Sequence, residues 1–276
     1  MTKIAVIGAG WLGEPLARAL NAKNHSCVVT RRTQEGLNSI EGLSGFVANL
    51  SDTDAENNLT AHLTKHNIHT VIGSFPPGFR KGNGAEYAQW WQRLVKASLA
   101  ASVKKIVMIS STTVYPSGKG VMTEELSNFI NAKKDPQFSD KARLMLQAEQ
   151  SVIDSGLSFA IVRLSGLFGP NRNPARFISK LKAISRSAPA NMLHLDDAIA
   201  ATVFAVEAIE NETVNATTPE TVSKADFYTR AAELAGLSSE LPEIMDVSDK
   251  RISSEKLTKL GYQFKYQHVY DALEAQ

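Results

Sequence analysis

Short apolar runs alternate with amphipathic stretches through the first 165 residues of the chain. Residues 4–7 are β-branched at three of four positions, as in strands buried within a parallel sheet. Leu12, Leu16 and Leu20 follow at helical spacing and predict a helix with one apolar face. This alternation of strand and helix predicts an α/β fold with a doubly wound parallel sheet. Further strands are predicted at 27–30, 45–50, 70–75, 105–109 and 159–164.

A glycine-rich turn joins the first predicted strand to the first predicted helix. Its glycines form a G-x-G-x-x-G pattern, and strand, glycine turn and helix in this order predict a Rossmann-type dinucleotide site. The first glycine permits the tight turn, the second lets a pyrophosphate approach the backbone, and the third lets helix and strand pack closely. We therefore expect the turn to bind the cofactor, through Gly8, Gly10, Trp11, Leu12 and Gly13.

The end of the second predicted strand bears on the choice between NAD and NADP. NAD sites place an acidic residue there, about 20 residues after the glycines, to bind the ribose. This chain instead has Arg31 and Arg32, and no carboxylate occurs before Glu35. Because guanidinium groups pair with phosphate oxygens, the arginines favour the 2′-phosphate of NADP, with NAD as the alternative cofactor. The alternative for the arginines themselves is a pair of solvated surface side chains.

A second cluster of polar side chains follows the fifth predicted strand. Ser110, Ser111, Thr112 and Thr113 are consecutive hydroxyl residues at its carboxyl end, the edge where ligands of α/β sheets bind. We assign Ser110 to the cofactor and Thr112 to a substrate. At the end of the fourth predicted strand, two further residues are assigned to the cofactor, Ser74 and Phe75.

Two longer helices are predicted among these strands, at 86–102 and at 139–154, the latter with Ser139 as its N-cap. One face of the first carries large side chains that suit the core or a subunit contact: Tyr87, Trp90, Trp91, Leu94, Val95 and Leu99. The sequence leaves monomer and homodimer open.

The pattern changes after residue 165, where glycine, proline and asparagine punctuate the chain. We predict a dinucleotide-binding domain at 1–165 and a small, mainly helical substrate-side region at 166–276, which partly returns to the core near 196–217. Loops are predicted at 78–84, with Arg80 and Lys81, and at 116–134. The predicted C-terminal elements are a strand at 214–216 and helices at 175–185, 196–209, 224–235 and 254–260.

Composition and charge exclude several classes of protein. Lysine and arginine number 30 against 28 acidic residues, and the two signs are interspersed, so we expect neither nucleic acid nor a membrane surface as a partner. The single cysteine, Cys27, excludes an intrachain disulfide and suits a reducing cytosol. The six histidines are scattered, which gives no metal-ligand spacing. These features lead us to expect a cytoplasmic protein with a small-molecule substrate.

Taken together, the motifs resemble the short-chain dehydrogenase/reductase superfamily in its extended, epimerase/dehydratase form. Gly-Trp-Leu-Gly with Pro-Leu-Ala at 15–17, and the segment 169–177, are most similar to its YeeZ-like atypical branch. The resemblance implies a Rossmann fold, an NAD(P) cofactor and an oxidoreductase or epimerase activity. The motifs that carry the resemblance occur in the same order as in that family and span most of the chain. They are the glycine turn at 8–13, the hydroxyl run at 110–115, Arg-Leu-Ser-Gly-Leu-Phe-Gly-Pro at 163–170 and His-Leu-Asp-Asp at 194–197.

The chain departs from this family at the catalytic motif. The resemblance implies a Tyr-x-x-x-Lys on the helix after the fifth strand, yet the predicted 139–154 helix contains no tyrosine, and alignment on Glu149 puts Met145 at the lysine position. One literal match begins at Tyr115, but Pro116 and Gly118 oppose the helix that it needs. Ser111 matches the family's substrate-holding serine. Lys141, near the start of the predicted 139–154 helix, could supply a cation. The catalytic candidates are Ser111, Tyr115 and Lys141.

Three basic residues beyond the sixth predicted strand are substrate candidates. Arg172 and Arg176 would indicate an anionic ligand if both faced a cleft, and surface arginines are the alternative. His194 could titrate near neutral pH, or could simply anchor the helix that follows it. Three functions stay open: an oxidoreductase on a small, anionic or sugar-like molecule, a non-catalytic NADP(H)-sensing regulator, and a non-redox isomerase or lyase.

Overall fold

We describe a computed structural model of the 276-residue chain. The structure describes residues 1–79, 83–237 and 241–275. Arg80 and Lys81, which belong to the predicted loop at 78–84, lie outside the described residues. Within the described residues, no helix combines the length and the apolar character that crossing a lipid bilayer requires.

A parallel sheet is the central feature of the fold, which confirms the predicted doubly wound α/β class. Within the described residues it has seven strands, in the order β11-β7-β5-β4-β1-β2-β3. β1 lies between β2 and β4 and pairs in parallel with both, and β4 pairs in parallel with β5. The strands of this sheet are β1 (Lys3–Ile7), β2 (Ser26–Arg31), β3 (Gly45–Val47), β4 (Thr70–Gly73), β5 (Lys105–Ser111), β7 (Ser158–Leu164) and β11 (Glu212–Ala216).

Shorter strands form two-stranded parallel pairs beside the main sheet. The pairs are β6 with β13, β8 with β10 and β9 with β12. Their bounds are β6 (Gly120–Met122), β8 (Gly166–Phe168), β9 (Ala183–Ser185), β10 (Met192–His194), β12 (Glu243–Met245) and β13 (Lys250–Ile252). The sequence pattern missed all six of these strands, because a three-residue strand shows too little periodicity to be recognised.

The helices follow the predicted order, with four additions. The helices are α1 (Gly13–Ala22), α2 (Gln34–Asn38), α3 (Ala55–Lys65), α4 (Tyr87–Ala100), α5 (Phe129–Lys134), α6 (Asp140–Ile153), α7 (Leu195–Ala208), α8 (Lys224–Leu234), α9 (Glu255–Lys259) and α10 (Val269–Glu274). The predicted cap of α6 is confirmed, because the side chain of Ser139 accepts a hydrogen bond from the backbone N–H of Ala142. The sequence pattern missed α2, α3, α5 and α10.

Several predicted elements were wrong in extent or type. The predicted strand at 45–50 ends at Val47, and the one at 70–75 ends at Gly73. The predicted loop at 116–134 contains β6 and α5. The predicted helix at 175–185 is a 3₁₀ helix at Pro174–Lys180 followed by β9, because Ala183–Ser185 pairs with the distant strand β12.

Two compact units divide the described residues. Unit 1 comprises Met1–Ser110, Asn128–Val162 and Thr202–Thr213, and unit 2 comprises Ser111–Ser127, Arg163–Ala201 and Val214–Gln276. The segment 111–127 thus groups with unit 2, whereas 202–213 groups with unit 1. The sequence-based division at residue 165 stays a prediction about independently folding domains.

The aromatic face of α4 belongs to the core of unit 1. Trp91 is fully buried, and a Cβ at Gly73 would lie 2.1 Å from its Cη2 atom, so β4 can approach this helix only with glycine at that position. The predicted face is buried except at its end, where Leu99 is 47% exposed. This packing places the end of β4, and the chain that follows it, against the buried face of α4.

Candidate dinucleotide site

The glycine turn after β1 is held by close backbone packing. Gly8 has φ +101°, and a Cβ there would lie 2.7 Å from the carbonyl oxygen of Ser74. A Cβ at Gly13 would lie 2.3 Å from the carbonyl oxygen of Gly8. The backbone N–H of Gly8 also donates a 3.0 Å hydrogen bond to Oγ1 of Thr30 on β2. Both glycines are therefore required by the turn itself.

Gly10 is different, because the fold itself does not explain a glycine there. A Cβ at this position would meet nothing within 4 Å, and the residue does not have a positive φ. The N-cap of α1 is Leu12, whose apolar side chain has no acceptor for the N–H groups of the first helical turn. Open space beside the N-terminus of a helix is the arrangement that accepts a diphosphate. The residues present thus fit the predicted cofactor.

Ser74 and Phe75 lie beside this turn, where the sequence prediction placed cofactor contacts. The backbone N–H of Ser74 donates a 2.8 Å hydrogen bond to the carbonyl oxygen of Ile7, so the chain leaving β4 continues alongside β1. The ring of Phe75 packs on Trp91, with 4.8 Å between centroids. These contacts hold the chain after β4 against the glycine turn.

The two arginines after β2 differ in their surroundings. The Nη2 atom of Arg31 lies 3.5 Å from Oε2 of Glu14 in the first turn of α1, and its side chain is 31% exposed. Arg32 is exposed. The sequence prediction placed both side chains at a 2′-phosphate, and it missed Glu14 because this carboxylate comes from α1 rather than from β2.

Ser110 contacts a buried carboxylate of unit 1. Its hydroxyl is buried and donates a 2.5 Å hydrogen bond to Oε1 of Glu149 on α6. The hydroxyl is thus committed to a carboxylate of the protein, which argues against its predicted role as a cofactor ligand. Met145, at the family's lysine position, is also buried in the core.

Lys141 lies in the first turn of α6, as predicted, and its side chain is exposed. Its Nζ atom lies 5.9 Å from the centroid of the Phe79 ring, within reach of a cation–π interaction. The described contacts thus place this cation on an aromatic ring after β4.

In unit 2, the hydroxyl residues that follow Ser110 form a short turn. Ser111 is the N-cap of a 3₁₀ helix at Thr112–Val114, and its Oγ accepts a 3.1 Å hydrogen bond from the backbone N–H of Thr113. Ser111 and Thr112 are each partly exposed. Both can therefore offer a hydroxyl donor to a ligand of unit 2, and their contact with a substrate stays a prediction.

Tyr115 lies in a buried polar network of unit 2. Its hydroxyl donates a 2.6 Å hydrogen bond to Oδ1 of Asn215 and accepts one of 3.1 Å from Nη1 of Arg163. Burial raises the pKa of Tyr115 to about 12, although the adjacent guanidinium lowers it. Its backbone is extended rather than helical, with φ −79° and ψ 146°. These surroundings argue against Tyr115 as an acid–base residue, because the hydroxyl is committed to the interior.

His194 ends β10 and is buried between two aromatic rings. Its ring centroid lies 5.4 Å from that of Phe168 and 5.0 Å from that of Tyr266. Nδ1 accepts a 3.1 Å hydrogen bond from the backbone N–H of Asp196, and burial lowers the pKa of the imidazole. These contacts match the anchoring alternative: the neutral ring accepts from the start of α7.

The two arginines of the predicted substrate side belong to different local structures. Arg172 closes a turn, in which its backbone N–H donates a 2.9 Å hydrogen bond to the carbonyl oxygen of Gly169. Arg176 lies in the 3₁₀ helix at Pro174–Lys180 and is exposed. The bend between them means that they do not share one helical face.

Comparison with known families settles what kind of protein carries this turn. The family described as the NAD dependent epimerase/dehydratase family matches residues 4–217. The chain belongs to this family. The epimerase/dehydratase assignment agrees with the resemblance read from the motifs, and it makes the protein an NAD(P)-binding member of the short-chain dehydrogenase/reductase type.

Individual relatives of this epimerase/dehydratase protein match nearly the whole chain. Protein YeeZ of Escherichia coli K12 is 29% identical over 281 residues, covering 96% of this chain and 97% of the relative. A 3-diazoavenalumate denitrifying reductase from a Streptomyces species is 25% identical over 251 residues, and the match covers 85% of this chain and 82% of the reductase. Similarity in fold extends to the UDP-glucuronic acid 4-epimerase of Bacillus cereus in complex with NAD, with TM-score 0.76, 20% identity and coverage of 100% and 97% of the two chains.

Proposed function

We propose that this protein is an NADP(H)-preferring oxidoreductase that acts on a small, anionic or sugar-like molecule. The observation that carries the proposal is the open space at Gly10 beside the uncapped start of α1, which suits a diphosphate. Two relatives support the reaction class, since one is named as a reductase and the other as a UDP-sugar epimerase. Arg31 and Arg32, in place of an acidic residue, support NADP(H) over NAD(H).

The roles of the chain's own residues follow from their chemistry. Backbone N–H groups at the start of α1 hold the diphosphate, and Arg31 and Arg32 pair with the 2′-phosphate. The bound nicotinamide supplies hydride transfer. Ser111 and Thr112 offer hydroxyl donors to a substrate oxygen, and Arg172 and Arg176 provide positive charge for an anionic group. Tyr115 keeps its proton near neutral pH, because its pKa of about 12 lies far above that range.

Titration of the purified protein with NADPH and with NADH tests the cofactor proposal. We expect uptake of both, with the lower dissociation constant for NADPH. Equal or tighter binding of NADH would remove the NADP(H) preference. Failure to take up either nucleotide would remove the whole proposal.

A screen of carbonyl and alcohol compounds, followed at the nicotinamide absorbance, tests the reaction. We expect the Ser111→Ala variant to lose turnover and to keep NADPH affinity. Thr113→Val is the matched control, because it removes a neighbouring hydroxyl, 3.0 Å from that of Ser111, and leaves Ser111 in place. Turnover that is unaffected by Ser111→Ala would contradict this assignment.

One observation favours a second candidate, an NADP(H)-sensing regulator with little catalysis. The family's usual acid–base tyrosine and lysine have no counterpart on α6, where Met145 is buried, and the hydroxyl of Tyr115 is committed to Asn215. Loss of a positioned proton donor costs about 10²–10⁴-fold in rate. Tight NADPH binding without turnover on any compound of the screen would select the regulator.

A further inference from the structure

Glu14 lies between two arginines at the start of α1. Its Oε1 lies 3.0 Å from Nη2 of Arg18, and its Oε2 lies 3.5 Å from Nη2 of Arg31. All three side chains are partly exposed, the carboxylate by 30%. An acidic group thus reaches the end of β2 from the neighbouring helix.

The end of β2 is where a dinucleotide site distinguishes its two cofactors. An acidic residue there binds the ribose 2′-hydroxyl of NAD, whereas an arginine accommodates the 2′-phosphate of NADP. In this chain the strand itself supplies Arg31, and α1 supplies a carboxylate that contacts the same guanidinium. The two charges favour different cofactors.

We propose that Glu14 is a specificity-determining residue that limits the preference for NADP(H) over NAD(H). Its carboxylate competes with the 2′-phosphate for the guanidinium of Arg31, whereas the uncharged 2′-hydroxyl of NAD(H) does not compete for this guanidinium. This inference rests on the proposed function, namely that the glycine turn binds a pyridine dinucleotide.

The geometry favours competition over positioning. A positioning carboxylate would hold Arg31 by a short, well-formed contact, but the observed 3.5 Å exceeds the usual range of about 2.7–3.2 Å for N–H···O bonds. Glu14 is closer to Arg18, whose Nη2 also donates a 2.8 Å hydrogen bond to the carbonyl oxygen of Glu41. The contact of Glu14 with Arg31 is therefore weaker than its contact with Arg18, and a phosphate can displace the carboxylate from Arg31.

The Glu14→Gln variant tests the proposal by the ratio of the NADH and NADPH dissociation constants. We expect NADPH to bind about three- to tenfold more tightly than in the wild type, with NADH binding nearly unchanged, as removal of one partly screened charge implies. Added salt should shrink this gain. Glu207→Gln is the matched control, since Glu207 pairs with Lys23 and His25 just before the opposite end of β2, and its removal changes the net charge equally. The control should leave the ratio unchanged.

A double variant assigns the effect to the named pair. Glu14→Gln combined with Arg31→Gln should bind NADPH no more tightly than Arg31→Gln alone. A gain that persists in the double variant, equal tightening of both cofactors, or weaker NADPH binding by Glu14→Gln would each overturn the inference. Failure of the wild type to bind either cofactor would instead overturn the proposed function, so the two failures are distinguishable.

Discussion

The hydroxyl of Ser110 at the end of β5 donates a 2.5 Å hydrogen bond to Oε1 of Glu149 on α6, and both residues are buried. A charge-assisted bond of this kind ties the carboxyl end of the strand to the helix that carries the family's usual catalytic pair. In this chain the strand and helix are thus joined by a structural contact. This contact gives the Ser110 hydroxyl a structural role.

Replacing Ser110 by alanine should destabilise the protein and leave cofactor affinity nearly unchanged. We expect the free energy of unfolding to fall by about 1–3 kcal/mol, because the buried carboxylate loses one donor. Denaturant titration checks the stability, and NADPH titration checks the affinity. A large loss of affinity without loss of stability would return Ser110 to the cofactor site.

Gly10→Ala should weaken cofactor binding without loss of stability, whereas Gly13→Ala should lower the stability of the fold. Gly10→Ala should weaken NADPH binding by about tenfold or more, since its methyl group enters the space proposed for the diphosphate, and it should leave the stability of the free protein nearly unchanged. Gly13→Ala should lower the free energy of unfolding by about 1–3 kcal/mol, since its Cβ would lie 2.3 Å from a backbone oxygen. Thermal unfolding without cofactor, followed by NADPH titration, measures both. An unchanged NADPH affinity in Gly10→Ala would contradict the assignment of this turn.

Tyr115 should contribute to a loss of stability at alkaline pH. Its pKa is raised from the ordinary tyrosine value to about 12, so the folded protein keeps this proton at pH values where the unfolded chain has released it. Stability therefore falls as pH rises from about 10 to about 12. The measurement is the free energy of unfolding across this range.

The Tyr115→Phe variant isolates this contribution. We expect it to be less stable at neutral pH by about 1–3 kcal/mol, because Arg163 and Asn215 lose a buried partner, and to show a shallower alkaline decline. A slope identical to that of the wild type would show that the decline comes from other tyrosines.

Of the adjacent carboxylates Asp196 and Asp197 in unit 2, Asp197 should contribute more to the stability of the fold. Its side chain is fully buried and accepts hydrogen bonds from the Tyr262 hydroxyl at 2.8 Å and from the backbone N–H groups of Lys265 and Tyr266 at 2.7 and 3.2 Å. Asp197→Asn should lower the free energy of unfolding by about 2–4 kcal/mol and expose the segment 262–266 to protease. The reason is that a neutral amide, with a single oxygen, cannot replace a charged carboxylate as the acceptor of all three bonds.

Asp196→Asn is the matched control for this prediction. Its carboxylate is 41% exposed and pairs with Lys265 at 2.6 Å, and partly exposed ion pairs contribute about 0–1 kcal/mol. Denaturant titration and limited proteolysis of both variants provide the comparison. Equal losses in the two variants would contradict the role given to the buried carboxylate.

Local sequence was sufficient to predict the part of the fold that forms the dinucleotide turn. The run at 4–7, the glycines at 8, 10 and 13 and the leucine stripe of α1 report on neighbours a few residues away, and strand, turn and helix were confirmed. The structure also separates two roles that the pattern treats alike, since packing requires Gly8 and Gly13, whereas Gly10 is left with open space.

What only the tertiary structure decided is which side chains meet. Ser110 and Glu149 are 39 residues apart, Arg163 and Tyr115 are 48 apart, and Arg31 and Glu14 are 17 apart on different elements. Periodicity carries no information about such pairs, because the contact depends on how strands and helices pack and on which polar groups that packing buries. The sequence by itself therefore determined the layered α/β fold and its glycine turn, while packing determined that the hydroxyls of Ser110 and Tyr115 bond to buried side chains and that Glu14 reaches Arg31.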